Sequence, residues 1–444
     1  MADTTVPHLQ VAIVGGGIIG VMTAIGLLYR GINVTIYERA ATWHEIGAGF
    51  GFTGIARECM MRLDPALLDT LSRISQKTSS SENTRYWDAF HPQTKQDAEQ
   101  ESSALLFQMP EKNLAFWGVV RSHLLQDMAA QLPEGVICFE KRLVGYHDAL
   151  GSEKVVLHFS DGTTSNAHAL IGCDGIRSTT RELLFGQEHP SSRPNFSHTV
   201  AYRAMVPMEA GVKALGESKA LSACMHCAPF VNMMSYPVMN GTFLNIALFT
   251  HESSGFSNVD TMTAPATRDE VGRVVAGLSP GMAEIAQLFP EKMVKWGIFD
   301  MYEHPAPTYA RGLVCIAGDA AHASSPHQGA GACMGVEDAL VLCEVLAQAR
   351  KRLIAGQFAQ TSNRLEIERA LQAYSSVRID RTQWLVRSSR EMGEMYQWRY
   401  GPTGRDMGRC YTKLKKASQK LWDFSVEDMV LDARNKVISL SELH

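Results

Sequence analysis

Residues 11–20 read VAIVGGGIIG, and the fold follows from how that stretch is built. Leu9–Val14 is a short apolar run that ends on three glycines. Ile18–Arg30 then has helical spacing, Gly31 supplies a stop, and Asn33–Tyr37 is apolar again. Strand, glycine turn, helix, strand is one βαβ unit of an open α/β sheet. Gly15, Gly17 and Gly20 fit GxGxxG. The first makes the tight turn, the second lets the backbone approach a pyrophosphate, and the third lets helix and strand touch. The helix start offers free N–H groups to the anion. Glu38 closes the second strand, about 20 residues on, where a carboxylate can bind a ribose hydroxyl pair and disfavours a 2′-phosphate. The unit is a dinucleotide site; alone it does not separate FAD from NAD.

The 444 residues leave room for roughly two or three domains. Lys and Arg number 42 against 46 Asp and Glu, a net charge of −4, so no nucleic-acid footprint is expected. Nine cysteines are scattered, and only Cys224 and Cys227 form CxxC. With no second pair, these read as reduced thiols on a strand rather than a zinc site. The odd count points to a reducing, cytoplasmic compartment. Residues 2–10 are polar and lack a basic flank, so no signal peptide is expected. Val11–Leu28 is near the length of a membrane span, but its five glycines sit where a phosphate turn needs them. No other uncharged run is long enough, so no membrane span is expected.

Further on, Pro65–Ser75 and Arg121–Gln131 have helical spacing. Val155–Phe159 with Asp161-Gly162 reads as a hairpin arm and its turn, and Ala169–Gly172 as a buried strand. Period two sets in at His198–Val206, Val231–Val238 and Thr242–Phe249, which predicts a separate antiparallel sheet. Leu313–Ala317 is again a buried strand, Gly329–Leu346 a helix, and 365–398 and 406–421 are helical. Thr78–Ser103 is polar without a period, either a loop excursion or a flap. The expected organisation is a discontinuous Rossmann-like α/β domain over 1–195 and 296–380, an inserted antiparallel sheet over 196–295, and a helical segment over 381–444.

Gly318-Asp319 follows the Leu313–Ala317 strand, so the carboxylate faces the crevice at the sheet's carboxyl edge. Gly331 and Ala332, within the run 329–332, open a long helix. Small residues there let backbone touch a flat ring, and the helix start can stabilise negative charge on it.

With GxGxxG and Glu38, Asp174-Gly175 and Gly318-Asp319 in that order, the chain resembles class A flavoprotein aromatic hydroxylases of the para-hydroxybenzoate/salicylate hydroxylase superfamily over most of residues 9–390. The resemblance implies FAD as cofactor, with NADPH or NADH docking briefly as reductant; no second GxGxxG unit exists in the chain. It implies that Asp319 binds the ribityl or pyrophosphate side of FAD, that Arg121 contacts its phosphates or ribose, and that Gly51 lies against it by backbone. Asp174 and Gly175 would serve both FAD and the reductant. Locally, Arg121 reads equally well as a surface helix arginine. Within the superfamily the likeness is to fungal polyketide-pathway dearomatising hydroxylases, the methylorcinaldehyde hydroxylase of tropolone biosynthesis among them. It rests on IVGGGIIG, YRAMVP at 202–207, Ser235-Tyr236-Pro237 and PHQGAGACMGVEDAL at 326–340. Cys333-Met334 departs from the GAGAGQ usual in salicylate hydroxylases, and Gln328 stands where the tropolone enzyme has a second histidine.

The resemblance implies chemistry through a C4a-hydroperoxyflavin, whose distal oxygen a phenolate attacks. Arg203 alternates with Tyr202 and Ala204, so it shares a strand face with Ala201 and Met205. An arginine on such a face answers an anion, either a phenolate or a structural carboxylate. Tyr236, in the next strand, can hydrogen-bond the same oxygen or fill the core; the resemblance implies that Arg203 and Tyr236 are the catalytic pair. His322 and His327 could assist proton movement near the flavin, but histidines in such loops are more often structural, so they stay outside the expected catalytic pair. The expected substrate is a small phenolic, an alkylated resorcylic or orcinaldehyde-type polyketide, together with O2, and the protein acts as monomer or homodimer. The rivals are decarboxylating salicylate-type hydroxylation, a NAD-linked dehydrogenase and a non-catalytic flavin-binding protein.

Overall fold

The computed structural model of the protein describes residues 9–43, 49–77, 83–90, 105–110, 117–355 and 362–442. Its first sheet runs, edge to edge, through Ala310–Arg311, Val314–Ile316, Ala169–Gly172, Gln10–Val14, Asn33–Tyr37 and Ile137–Cys138. All neighbours are parallel except the first pair. The central strands are buried on both faces, as the unbroken apolar runs required. Register does the important work. Val14 pairs with Gly172 and with Tyr37, and Gly172 pairs with Ile316. The chain therefore leaves three neighbouring strands at one edge through Gly15, Cys173-Asp174 and Ala317-Gly318. Motifs some 300 residues apart in sequence open onto the same crevice.

Helices Ile18–Tyr29, Gly331–Ile354 and Asn363–Tyr396 belong to this domain, and the first two bury long runs against the sheet. A helix that sequence reading missed, Val426–Glu442, seats Val426, Met429, Val430, Ala433 and Val437 in the same core. Helix Gly54–Leu63 was also missed. Asn363–Tyr396 crosses the expected boundary at 380 unbroken, because it contains no proline and no glycine before Gly393.

The second sheet has eight strands, in the order Thr263–Thr267, Lys292–Asp300, Asn195–Pro207, Phe243–His251, Val231–Val238, Cys224–Ala228, Asn83–Asp88 and Leu105–Pro110. It is antiparallel but for the pairing of Cys224–Ala228 with Asn83–Asp88. The expected insert thus gains two strands from well upstream, one of them inside the segment read as loop or flap. Asn83–Asp88 (NTRYWD) looked like loop because its polar residues hide Tyr86 and Trp87, which are buried on opposite faces. Residues 91–104 lie outside the described residues. Lys292–Asp300 likewise runs through the expected boundary at 295.

One face of this sheet is apolar. Val200, Tyr202, Val206, Leu244, Ile246, Leu248, Val231 and Met233 pack on helices Met208–Leu215, Arg268–Val274 and Pro280–Gln287. The other face carries Arg203. All nine cysteines are free; Cys224 and Cys227 lie on a strand, with Trp87 Nε1 donating to Cys224 Sγ at 3.3 Å. Among the described residues no helix is long and apolar enough to cross a membrane.

Candidate functional site

The glycines of the first turn have different surroundings. Gly15 has φ +104°, and a Cβ there would lie 2.4 Å from Cys173 O. Gly20 is where helix meets turn: its Cβ would sit 2.0 Å from Gly15 O. Gly17 differs, since a Cβ on it would meet no protein atom within 4 Å; that side faces open space. Gly17 also caps Ile18–Tyr29 without a side-chain bond, so the helix's first N–H groups stay available. Glu38 stands beside them. Its Oε2 accepts from Gly16 N–H (2.7 Å) and its Oε1 from Ala40 N–H (2.8 Å), leaving each oxygen a lone pair.

Across the crevice, Asp174 turns inward to its own loop. Its carboxylate accepts from Ser178 Oγ (2.5 Å), Thr180 N–H (2.9 Å) and Thr180 Oγ1 (3.1 Å). Burial raises its pKa, against those hydrogen bonds. It braces the turn into helix Thr179–Phe185, and Gly175, at φ +77°, completes that turn. Asp319 does the opposite. It follows Gly318 (φ +61°), is exposed, and has no hydrogen-bonded partner for its carboxylate among the described residues.

Two residues given no role from sequence, Arg181 and Asp338, hold these loops. Arg181, 1% exposed, donates to Ile176 O (2.5 Å), Ser192 O (3.1 Å) and Ala320 O (3.0 Å). It thereby rivets the Asp174 loop to the Asp319 loop; burial lowers its pKa to about 10. Asp338, fully buried, accepts from Gly318 N–H (2.9 Å) and Arg378 Nε (2.8 Å), and lies 2.5 Å from His322 Nε2. Burial pushes its pKa up, but His322 and Arg378 outweigh that and hold it at about 2. Arg378 also pairs with Glu337 (2.7 Å), which Arg381 grips with two bonds. Removing one charge from so dry a network strands the others, so Asp338→Asn is expected to cost about 3–5 kcal/mol of stability. A urea midpoint unchanged from wild type would contradict this.

Gly51 lies on strand Phe50–Phe52, paired with Gly118 of Trp117–Val119, and its carbonyl accepts from Cys333 Sγ at 3.7 Å. It thus adjoins the first turn of helix Gly331–Ile354, where Gly331 and Ala332 stand. Arg121 opens helix Arg121–Ala129 directly after that small sheet and is exposed. Ala330 caps the Gly331 helix without a side-chain bond, after Gly329 at φ +62°.

Arg203 and Tyr236 share the second sheet's other face. Arg203 pairs with Ala247, which pairs with Met234; Met205 pairs with Asn245, which pairs with Tyr236. In-register partners share a face, so Arg203 and Tyr236 flank small Ala247 diagonally. Arg203 is solvent-accessible, yet burial lowers its pKa, with Tyr236 as its opposing neighbour. Among the described residues Arg203 has no carboxylate partner. Burial raises Tyr236, so its hydroxyl stays a donor at neutral pH. The face meets the loop just before the Gly331 helix at His327, whose ring lies 4.9 Å from Phe249.

His327 and His226 are both held neutral by burial, at about 3 against an ordinary 6.5. Below pH 6.5 the unfolded chain binds protons that the folded chain refuses. Stability is therefore full above pH 6.5 and falls as pH drops toward 3; Asp338 adds to the loss only below about pH 4. The urea midpoint is expected to fall between pH 7 and pH 5, and less so in His226→Asn.

Residues 8–354 match the family model described as FAD binding domain. A "FAD-dependent monooxygenase" of Aspergillus terreus is 52% identical over 428 residues, covering 96% of this chain and 97% of the relative. The chain belongs to the class A FAD-dependent monooxygenase family. A salicylate hydroxylase of Sarocladium schorii is 38% identical to this monooxygenase, covering 96% and 91% of the two chains. A solved salicylate hydroxylase in complex with substrate superposes with a TM-score of 0.80 at 26% identity, covering 96% of this chain and 98% of that one. FAD is the monooxygenase's cofactor, with NAD(P)H the reductant typical of the family. The site fits FAD on its own geometry: open space at Gly17, helix starts at Gly17 and Ala330 without side-chain caps, and an exposed Asp319 carboxylate with no hydrogen-bonded partner among the described residues.

Proposed function

We propose that the protein hydroxylates the ring of a phenolic, polyketide-type aromatic such as an alkylated orcinaldehyde, consuming NADPH and O2, and that reaction at an alkyl-bearing carbon leaves a dearomatised ortho-quinol. The observation that carries this reading is Arg203, an accessible guanidinium with no carboxylate partner among the described residues, beside Tyr236 on the face that meets the loop before the Gly331 helix. Glu38, Arg121 and Asp319 hold the ribose, phosphate and ribityl parts of FAD in this reading, with Gly15, Gly17, Gly51, Gly331 and Ala332 giving it backbone room. Asp174 keeps the crevice open by bracing its own loop.

Bound and reduced, the flavin supplies an activated oxygen atom. The protein's residues prepare the acceptor. A fixed cation lowers a phenol's pKa by about 1–3 units, so Arg203 holds the substrate as phenolate. Tyr236, protonated, donates to the same oxygen and sets which ring carbon faces the flavin. The sheet and the 325–331 loop exclude water, which would otherwise release peroxide. Helix N–H groups at Gly331 stabilise negative charge at the edge of the reduced ring.

Tyr236→Phe is expected to lower kcat/KM by about 10- to 100-fold, the worth of one hydrogen bond to a charged group, or to shift the carbon hydroxylated. Unchanged rate and regiochemistry would assign Tyr236 to packing. The reading as a whole is tested by incubating holoenzyme and NADPH with orcinaldehydes and salicylate. It requires a product that gains one oxygen and keeps every carbon. Catechol with CO2, from salicylate only, would instead favour the decarboxylating reaction.

A further inference from the structure

The face that carries Arg203 forms a floor with definite edges. On three adjacent strands it presents two rows: Arg203, Ala247 and Met234, then Met205, Asn245 and Tyr236. Arg203 and Met205 are exposed and the other four are half-buried, so the floor is reachable. The next row, Ala201, Phe249 and Asn232, is buried and closes it on that side. Strand and residue spacings make the floor about 10 by 7 Å, the footprint of one substituted benzene ring.

Asn245 is the polar side chain of this floor to which the phenol reading gives no task. It pairs in register with both Met205 and Tyr236 and stands diagonally from Arg203. Phe243, Ala247 and Phe249 share its side of the strand, and asparagine is disfavoured in a strand interior. Its amide makes no hydrogen bond to the protein among the described residues. Asn232, on the adjoining buried row, shows the contrast. Its Oδ1 accepts from Gln397 Nε2 at 3.1 Å, and its Nδ2 donates to Met225 Sδ at 3.5 Å. One amide of the face is consumed by structure. The other is presented, with two N–H donors and a carbonyl acceptor to offer.

We infer that Asn245 is a specificity residue: its amide hydrogen-bonds a second oxygen of the substrate, a carbonyl or a hydroxyl carried one or two ring positions from the phenolate. The inference rests on the phenol hydroxylase reading and deepens it. Arg203 and Tyr236 reach one oxygen from opposite sides of the step between Ala247 and Asn245, so the amide stands beside the ring position next to that oxygen. One fixed oxygen leaves the ring free to turn about its C–O bond, which exchanges its two ortho carbons. A second fixed oxygen removes that freedom and holds one carbon toward the flavin. The amide suits either partner, since it donates to a carbonyl and accepts from a hydroxyl.

The test uses holoenzyme, wild type and Asn245→Leu, with three rings: meta-cresol, which has one oxygen, orcinol, which has two hydroxyls, and salicylaldehyde, which pairs a hydroxyl with a carbonyl. Binding is read from flavin absorbance. Leucine keeps the amide's size without its hydrogen bonds. The variant is expected to bind meta-cresol as wild type does, which also shows that it folds. Its affinity for one or both two-oxygen rings falls about three- to tenfold, the worth of one neutral hydrogen bond. Loss with salicylaldehyde alone assigns the second oxygen as carbonyl, and loss with orcinol alone as hydroxyl. Comparing each ring across the two proteins cancels the ring's own acidity. Equal weakening toward all three rings, or no weakening toward any, overturns the Asn245 assignment and leaves the phenol reading standing. Failure of every ring to bind wild type overturns that reading, and the assignment with it.

Discussion

Arg203→Ala is expected to lose oxygenated product by two to three orders of magnitude while still binding FAD. Three features set that size. The guanidinium is the only cation among the described residues on the row that passes Ala247 and Met234, so nothing replaces it. Its removal returns the substrate's phenol toward its ordinary pKa, near 10, and the reactive phenolate becomes scarce at neutral pH. It also deprives the oxygen of a charge-assisted hydrogen bond. FAD retention follows from the fold: Arg203 lies on the second sheet, whereas the glycine turns and Asp319 lie at the edge of the first. Arg203→Lys keeps the charge without the planar fork and should recover part of the rate. Raising the pH toward the phenol's own pKa should partly rescue Arg203→Ala, which loss of folding would not. Product mass and bound-flavin absorbance read the two properties separately. Wild-type turnover by Arg203→Ala would remove Arg203 from the mechanism.

The second large effect separates two glycines of the same motif. Gly20→Ala places a methyl 2.0 Å from Gly15 O, a clash with backbone that no rotamer relieves. Helix and turn must part, at about 3 kcal/mol or more on the scale of overpacked cores, and FAD binding goes with them. Gly17→Ala adds a methyl that meets no protein atom. The apoprotein's thermal midpoint should stay within a degree or two of wild type, yet FAD affinity should fall at least tenfold, because the methyl occupies the approach of the pyrophosphate. Equal loss of stability in both variants would show that Gly17 faces protein rather than ligand.

This pair shows what the sequence makes legible. GxGxxG states a spacing whose physics is local: a positive φ, a close contact, an uncapped helix start. Arg203 was equally readable, because strand alternation fixes a face. The helix Val426–Glu442 was readable too, since Val426, Met429, Val430, Ala433 and Val437 repeat at three and four residues. What stayed hidden is non-local. Arg181 looks like any helix arginine until its partners at Ser192 and Ala320 are brought to it. Asp338 sits inside an apolar helix, and only the arrival of Arg378, forty residues on, accounts for a carboxylate there. Strand Asn83–Asp88 pairs in parallel with a strand about 140 residues away, and no local pattern announces that partner.

The central claim is spatial: the flavin ring lies between the amino end of the Gly331 helix and the Arg203 face of the second sheet. A crystal structure of the holoenzyme with a bound alkylresorcinol tests it most directly. The account predicts the isoalloxazine in that gap, with a phenolic oxygen within hydrogen-bond reach of both Arg203 and Tyr236. A ring system seated elsewhere, or a phenol whose oxygen turns away from Arg203, would contradict it.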